Sequence, residues 1–211
     1  MSPPAGPFDA QVRTIDPDRW LSSRLVGDPK ARADLMALYA FEAELMAIPS
    51  KAVQPLLVEM RYTWWADQME GVFAGAPRKG HPVLEALADV ATRRGLERAP
   101  FDALIEAHIG RAHGEPHDLE AFYVGPMQTA VRILAGPGHD AAAALAGRAR
   151  GLAQTGRFEE VRDARGAANR VLATLPVAAF PAVAPATLGR PDEPEAIKRL
   201  RLIWATATGR I

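Results

Sequence analysis

Residues 31–73 constrain the fold more than any other stretch. They read ARADLMALYAFEAELMAI, PSKAVQPLL and VEMRYTWWADQMEGVF, and their apolar residues recur at the three- and four-residue steps of an α-helix. Leu35, Leu38 and Leu45 share one such face, with Glu42 set among them. Val53, Leu57, Met60 and Trp64 form the matching stripe of a second helix, with Arg61 and Trp65 at its edge. Pro49 marks the joint, because proline has no N–H to give to a helix interior. Two antiparallel helices, 31–47 and 51–73, are expected face to face at the centre of the molecule, the first capped by Asp28 with Pro29 in its first turn. Glu42, Arg61, Trp64, Trp65 and Asp67 are expected near their seam; with Tyr39 they are the candidate pocket residues.

The rest of the chain carries the same signal. Alanine and leucine abound and long Val/Ile/Thr alternations are missing, so the expected class is all-α, a single bundle of about eight helices. The first dozen residues are expected to be disordered. Asp16 to Leu25 is a short helix with Asp16 as cap and Trp20 as apolar anchor. The loop GAPRKG leads to a helix from Pro82 to Gly95, and Pro100 opens the next, with Phe101, Leu104, Ile105, His108 and Ile109 on one face. Asp118 starts a helix that Gly125-Pro126 should kink. An alanine- and glycine-rich helix over 140–155 follows, then one over 158–175, a proline-rich apolar segment to Leu188, and an amphipathic helix over 193–206 with Leu200, Leu202, Ile203 and Trp204. One domain spans residues 1–211.

Bulk properties exclude several classes. Twenty-five basic residues balance twenty-five acidic ones, so no global field draws nucleic acid, and any electrostatic site is local. The absence of cysteine removes disulfides, thiolate catalysis and cysteine-ligated metals. The start MSPPAGPFDAQVR lacks the pattern of a signal peptide, and no run approaches the roughly 18 apolar residues of a membrane span. The expected location is the cytoplasm.

LYAFEAEL, then VEMRYTWWADQMEG, then HPVLEAL resemble the squalene/phytoene synthase family of all-helical prenyl transferases. The resemblance is nearer to the branch that includes a respiratory complex I assembly factor. Softer matches continue through 119–130, 145–154 and 175–188. The resemblance implies a bundle of the isoprenoid synthase type, here shortened, and a pocket for a prenyl or other lipid chain. From the assembly branch it implies a protein partner in a respiratory complex and peripheral contact with the inner membrane.

Prenyl transferases of this family hold diphosphates through magnesium, bridged by two Asp-x-x-x-Asp-type motifs, and hard magnesium needs such clustered carboxylate oxygens. In this sequence Met46, Ala47 and Ser50 stand where the first motif belongs, and the segment of the second is missing. Glu159 and Asp163, at i and i+4, are the remaining metal candidates, though an exposed helix turn reads the same. Glu42 is expected to pair with Arg61 or Arg24, since a buried carboxylate requires a cation. His108, His113 and His117, near Glu106 and Asp118, have ligand types, but Gly114 and Pro116 interrupt their helix. His81 before Pro82 reads as a helix start. Nucleophile elbow, phosphate loop and dinucleotide fingerprint are all missing. Two functions follow: a catalytically degenerate family member without a cofactor, acting through a lipid pocket or protein contacts, or a working magnesium-dependent prenyl transferase with atypical carboxylates.

Overall fold

The computed structural model describes residues 6–52, 54–189 and 193–211. It is all-α, with no strand among the described residues. In order the helices are α1 (Asp9–Ile15), α2 (Pro17–Ser23), α3 (Pro29–Lys51), α4 (Pro55–Phe73), α5 (Pro82–Arg94), α6 (Ala99–Ala112), α7 (Gly125–Ala135), α8 (Asp140–Gln154), α9 (Phe158–Leu172), α10 (Phe180–Val183) and α11 (Glu195–Thr208).

Helix starts follow the sequence signals closely. The Asp28 carboxylate accepts from the N–H groups of Lys30 and Ala31, and Asp16 accepts from Arg19 N–H. His81 caps α5 through Nδ1, which accepts from Leu84 N–H, and Gly95 ends that helix at φ +58°, a left-handed conformation that costs glycine little. Of the dozen residues expected to be disordered, 1–5 lie outside the described residues and 9–12 differ from expectation. Residues 9–15 form a helix rather than a disordered arm, because Val12 is fully buried and the Asp9 carboxylate bonds both the Arg32 guanidinium, at 2.5 and 3.2 Å, and Trp20 Nε1 at 2.7 Å.

The central helix is α3, and it is enclosed rather than amphipathic. Leu35 through Phe41 are all buried in an unbroken run, as befits a helix covered on every side. It also runs through Pro49 to Lys51 instead of stopping at the proline. The carbonyl that Pro49 leaves without a helical donor is that of Leu45, and the Tyr62 hydroxyl donates to it at 3.2 Å. The cross-helix bond thus replaces the lost one and lets α3 continue.

The face of α4 is also displaced from expectation. Val58, Tyr62, Trp65, Met69 and Val72 are its buried residues, one step round from the expected stripe. Leu57 and Met60 are exposed, while Val53 lies outside the described residues. α4 lies chiefly against α5 and α6, and α3 against α1 and α5, so the two central helices share less of a seam than their patterns suggested.

The expected kink at Gly125-Pro126 is a π-helical turn, Glu120–Val124, that feeds α7. Widening the turn places Pro126 at the start of the next helix, where its missing N–H is harmless. α8 packs against this turn so closely that a Cβ on Gly147 would sit 2.6 Å from the Tyr123 carbonyl oxygen. The proline-rich segment forms short turns over 177–187, buried from Ala179 onward, and Arg165 donates to the carbonyls of Ala186 and Leu188 at 2.9 and 3.2 Å. That guanidinium supplies bonds the broken helix cannot.

Candidate functional site

Elements from both ends of the chain enclose a cavity of about 380 Å³, within the roughly 300–1,000 Å³ usual for ligand sites. Its charged wall comes from the α1–α2 corner (Asp16, Asp18, Arg19), α3 (Glu42), α8 (Arg150) and α11 (Lys198). His108, His117, Phe122 and Tyr123 form the aromatic side, and Met46 stands at its edge, 45 % exposed.

The charges are tied to one another. Arg19 bridges two carboxylates, Nε to Asp16 Oδ2 at 2.6 Å and Nη1 to Glu42 Oε2, and its guanidinium lies over the Tyr39 ring at 5.0 Å. Arg150 approaches the same Asp16 carboxylate at 3.3 Å, and Lys198 bonds Asp18 at 2.9 Å. The need of Glu42 for a cation is therefore met by Arg19, not by Arg61 or Arg24. Displacement of the α4 face turns Arg61 outward to solvent, out of reach.

Protonation follows from this packing. Burial raises Asp16, but the opposing attraction of Arg19 and Arg150 and the bonds from Arg19 bring it down to about 2. Burial raises Glu42 and outweighs the pull of Arg19. His108 is lowered to about 4, by burial first and His117 second, so it is neutral near pH 7. Its ring stacks on Tyr62 at 5.2 Å and meets Phe122 edge-on at 4.8 Å. Several buried polar atoms have no protein partner: Tyr39 Oη, Glu42 Oε1, and Arg150 Nε and Nη1. Donors and acceptors thus remain available beside the cavity for water or a ligand.

The six candidate pocket residues do not form one seam. Glu42 lines the cavity, and Tyr39 stands just behind its wall beside Arg19 and Arg150. Arg61, Trp64 and Trp65 line a separate groove of about 220 Å³ with Ile48, Lys51 and His81. Trp65 is only 4 % exposed and packs edge-on to Phe41 and His81, which makes it chiefly a core residue. Asp67 is exposed and belongs to neither space.

At the motif positions, Ala47 is buried and Ser50 is exposed, bonded to the Ala47 carbonyl at 2.8 Å. Glu159 and Asp163 are exposed on α9, away from the cavity. Among the described residues no three or more His, Cys, Asp or Glu side chains are grouped to hold a metal ion. Asp16, Asp18 and Glu42 each already engage a cation of the cavity wall, while Glu42 Oε1 has no partner. His113 faces Glu59 at 3.2 Å instead of joining His108 and His117.

Sequence reasoning missed Arg19, Arg150, Asp18 and Lys198. Arg150 had one local signal, its place between Ala149 and Gly151 in the small-residue run GRARGLA, where close helix approach leaves a charge no route to solvent. Lys198 had none, since its Asp18 partner is remote in sequence.

Comparison with known proteins gives a consistent result. The chain is 25 % identical over 91 residues, 43 % of its length, to the NADH dehydrogenase (ubiquinone) complex I, assembly factor 6 homolog of Dictyostelium discoideum. That match spans a quarter of the relative's own length. No solved structure matches. The family model for squalene/phytoene synthase matches residues 12–123, more than half of the chain and the part that builds α1 through the π turn, and the protein belongs to the squalene/phytoene synthase family.

Proposed function

We propose that this protein is a catalytically degenerate family member that keeps the central cavity to hold a ligand and acts as an assembly-type factor through protein contacts. The observation that carries the reading is the pairing inside the cavity: Asp16 and Glu42 with Arg19, Asp16 with Arg150, and Asp18 with Lys198. Bridging magnesium to a diphosphate requires carboxylate oxygens free to coordinate, and neutralising the leaving group is most of what the metal contributes. Here each of the three carboxylates is engaged by a cation of the same wall, which leaves Glu42 Oε1 without a partner. The likeness to an assembly factor homolog supports a role in the assembly of NADH dehydrogenase complex I.

Incubation with magnesium and farnesyl or geranylgeranyl diphosphate is expected to give no product above a no-enzyme control. Deleting the gene is expected to lower the amount of assembled NADH dehydrogenase on native gels. The second reading, a prenyl transferase with atypical carboxylates, draws on the three acidic residues that still face the cavity. Condensation abolished by chelator and by Glu42→Gln would establish it and overturn the first.

A further inference from the structure

α11 is amphipathic in the reverse of the usual sense. It docks on the bundle through Lys198, Leu202 and Ala205, the only buried residues of the helix. At 100° per residue its outward sector comprises Ala196, Ile197, Leu200, Ile203, Trp204 and Ala207, with no polar or charged side chain between them. Leu200 is 68 % exposed, Trp204 53 %, Ile203 52 % and Ile197 43 %. Surface helices of water-facing bundles turn polar residues to that side, and contiguous apolar patches of this kind mark interaction sites.

The margins indicate the partner. Arg199 and Arg201 flank the apolar sector on opposite sides, about half exposed, and hold Glu195 and Glu193 at 2.6 and 2.9 Å. From residue 193 onward Arg199, Arg201 and Arg210 are the solvent-facing basic residues against Glu193 and Glu195, while Lys198 is buried on Asp18. Along the Arg199 margin runs a cleft of about 210 Å³ between α2 and α11, floored by Leu21, Leu25, Leu202 and Ile203, with Arg24 and Arg199 beside it.

We propose that the outward face of α11 is a docking surface for an anionic phospholipid bilayer, lying in the headgroup region with its apolar ridge toward the acyl chains. A convex apolar ridge with a tryptophan and flanking arginines suits that layer, since arginine stems lie along apolar surface while their heads reach phosphate. Apart from the Trp204 indole N–H, which suits a wet membrane interface, this sector offers none of the hydrogen-bonding groups that a protein interface would be expected to carry. No described helix is long and apolar enough to cross a membrane, so the contact is peripheral. The proposal is independent of whether the central cavity turns over substrate.

Flotation of the full chain with vesicles of phosphatidylcholine mixed with phosphatidylglycerol tests it, with pure phosphatidylcholine as comparison. Binding is expected to be about tenfold weaker on the neutral vesicles. Leu200→Glu combined with Trp204→Glu should abolish it without shifting the melting temperature, because both side chains are exposed. Brominated acyl chains should quench wild-type fluorescence, and Trp204→Phe should lose that quenching, which reads the contact in a variant that retains the apolar face. Absence of binding to either vesicle, or binding that survives the double substitution, overturns the proposal. So does a dimer dispersed by Leu200→Glu in a protein that ignores vesicles, which would give the face to a second copy.

Discussion

Arg19 carries more of the cavity than any other residue, because it neutralises Asp16 and Glu42 together from the first turn of a seven-residue helix. Arg19→Ala leaves Glu42 buried with no cation bonded to it and deprives Asp16 of one of two. Breaking a buried pair from one side costs about 3–5 kcal/mol. The expected result is a lower urea midpoint of that size with an unchanged slope. Arg61→Ala, on the exposed side of α4, should stay within about 0.5 kcal/mol. Equal losses for the two would contradict the assignment. The requirement of Glu42 for a cation was legible in a carboxylate set among leucines. Its identity was not, because Arg19 lies on a separate helix and the rotation of α4 about its axis removes the nearer candidate.

Elements were legible where local chemistry decides them. Asp16, Asp28, His81 and Gly95 fix helix ends through backbone bonds or a left-handed turn, and those ends agree with the sequence. Faces were less legible. Alanine fits either side of a helix, so the patterns of α3 and α4 left their rotation undecided until neighbours fixed it. In α11 the exposed side is as apolar as the buried one, and burial of Leu202 without Leu200, Ile203 or Trp204 could not be read from periodicity. α8 lies close against the π turn at Gly147. Gly147→Ala would bring a methyl group to 2.6 Å from the Tyr123 carbonyl oxygen and 2.9 Å from Val124 Cα, and backbone cannot swing aside as a flexible side chain can. Overpacking costs about 1–3 kcal/mol against a gain in helix propensity of up to about 1 kcal/mol. Net destabilisation, read as a lower melting temperature, is expected despite alanine being the better helix former.

At the scale of the molecule, the cavity couples folding to pH in two acid windows. His108 has a folded value of about 4 against an ordinary 6.5, so the unfolded chain binds more protons between these values and stability rises with pH across them. That contribution is complete above about 6.5 and is lost as pH falls to about 4, a difference of roughly 3 kcal/mol. Asp16, at about 2 against an ordinary 3.8, adds a second loss of roughly 2 kcal/mol as pH falls through that lower range. Glu42 acts with opposite sign. Its raised value means that the unfolded chain releases the proton first, so its ionisation on burial subtracts stability as pH rises above the ordinary 4.5 and blunts part of the His108 window. Denaturant titrations from pH 7 to pH 3 should therefore show a decline beginning near 6.5, earlier than carboxylates with lowered values could produce. His108→Phe, which can still stack on Tyr62 and Phe122 but cannot take up a proton, should flatten the upper window and leave the lower one in place. If the variant retained the full slope between pH 6.5 and pH 4, the buried neutral imidazole would not be the group responsible.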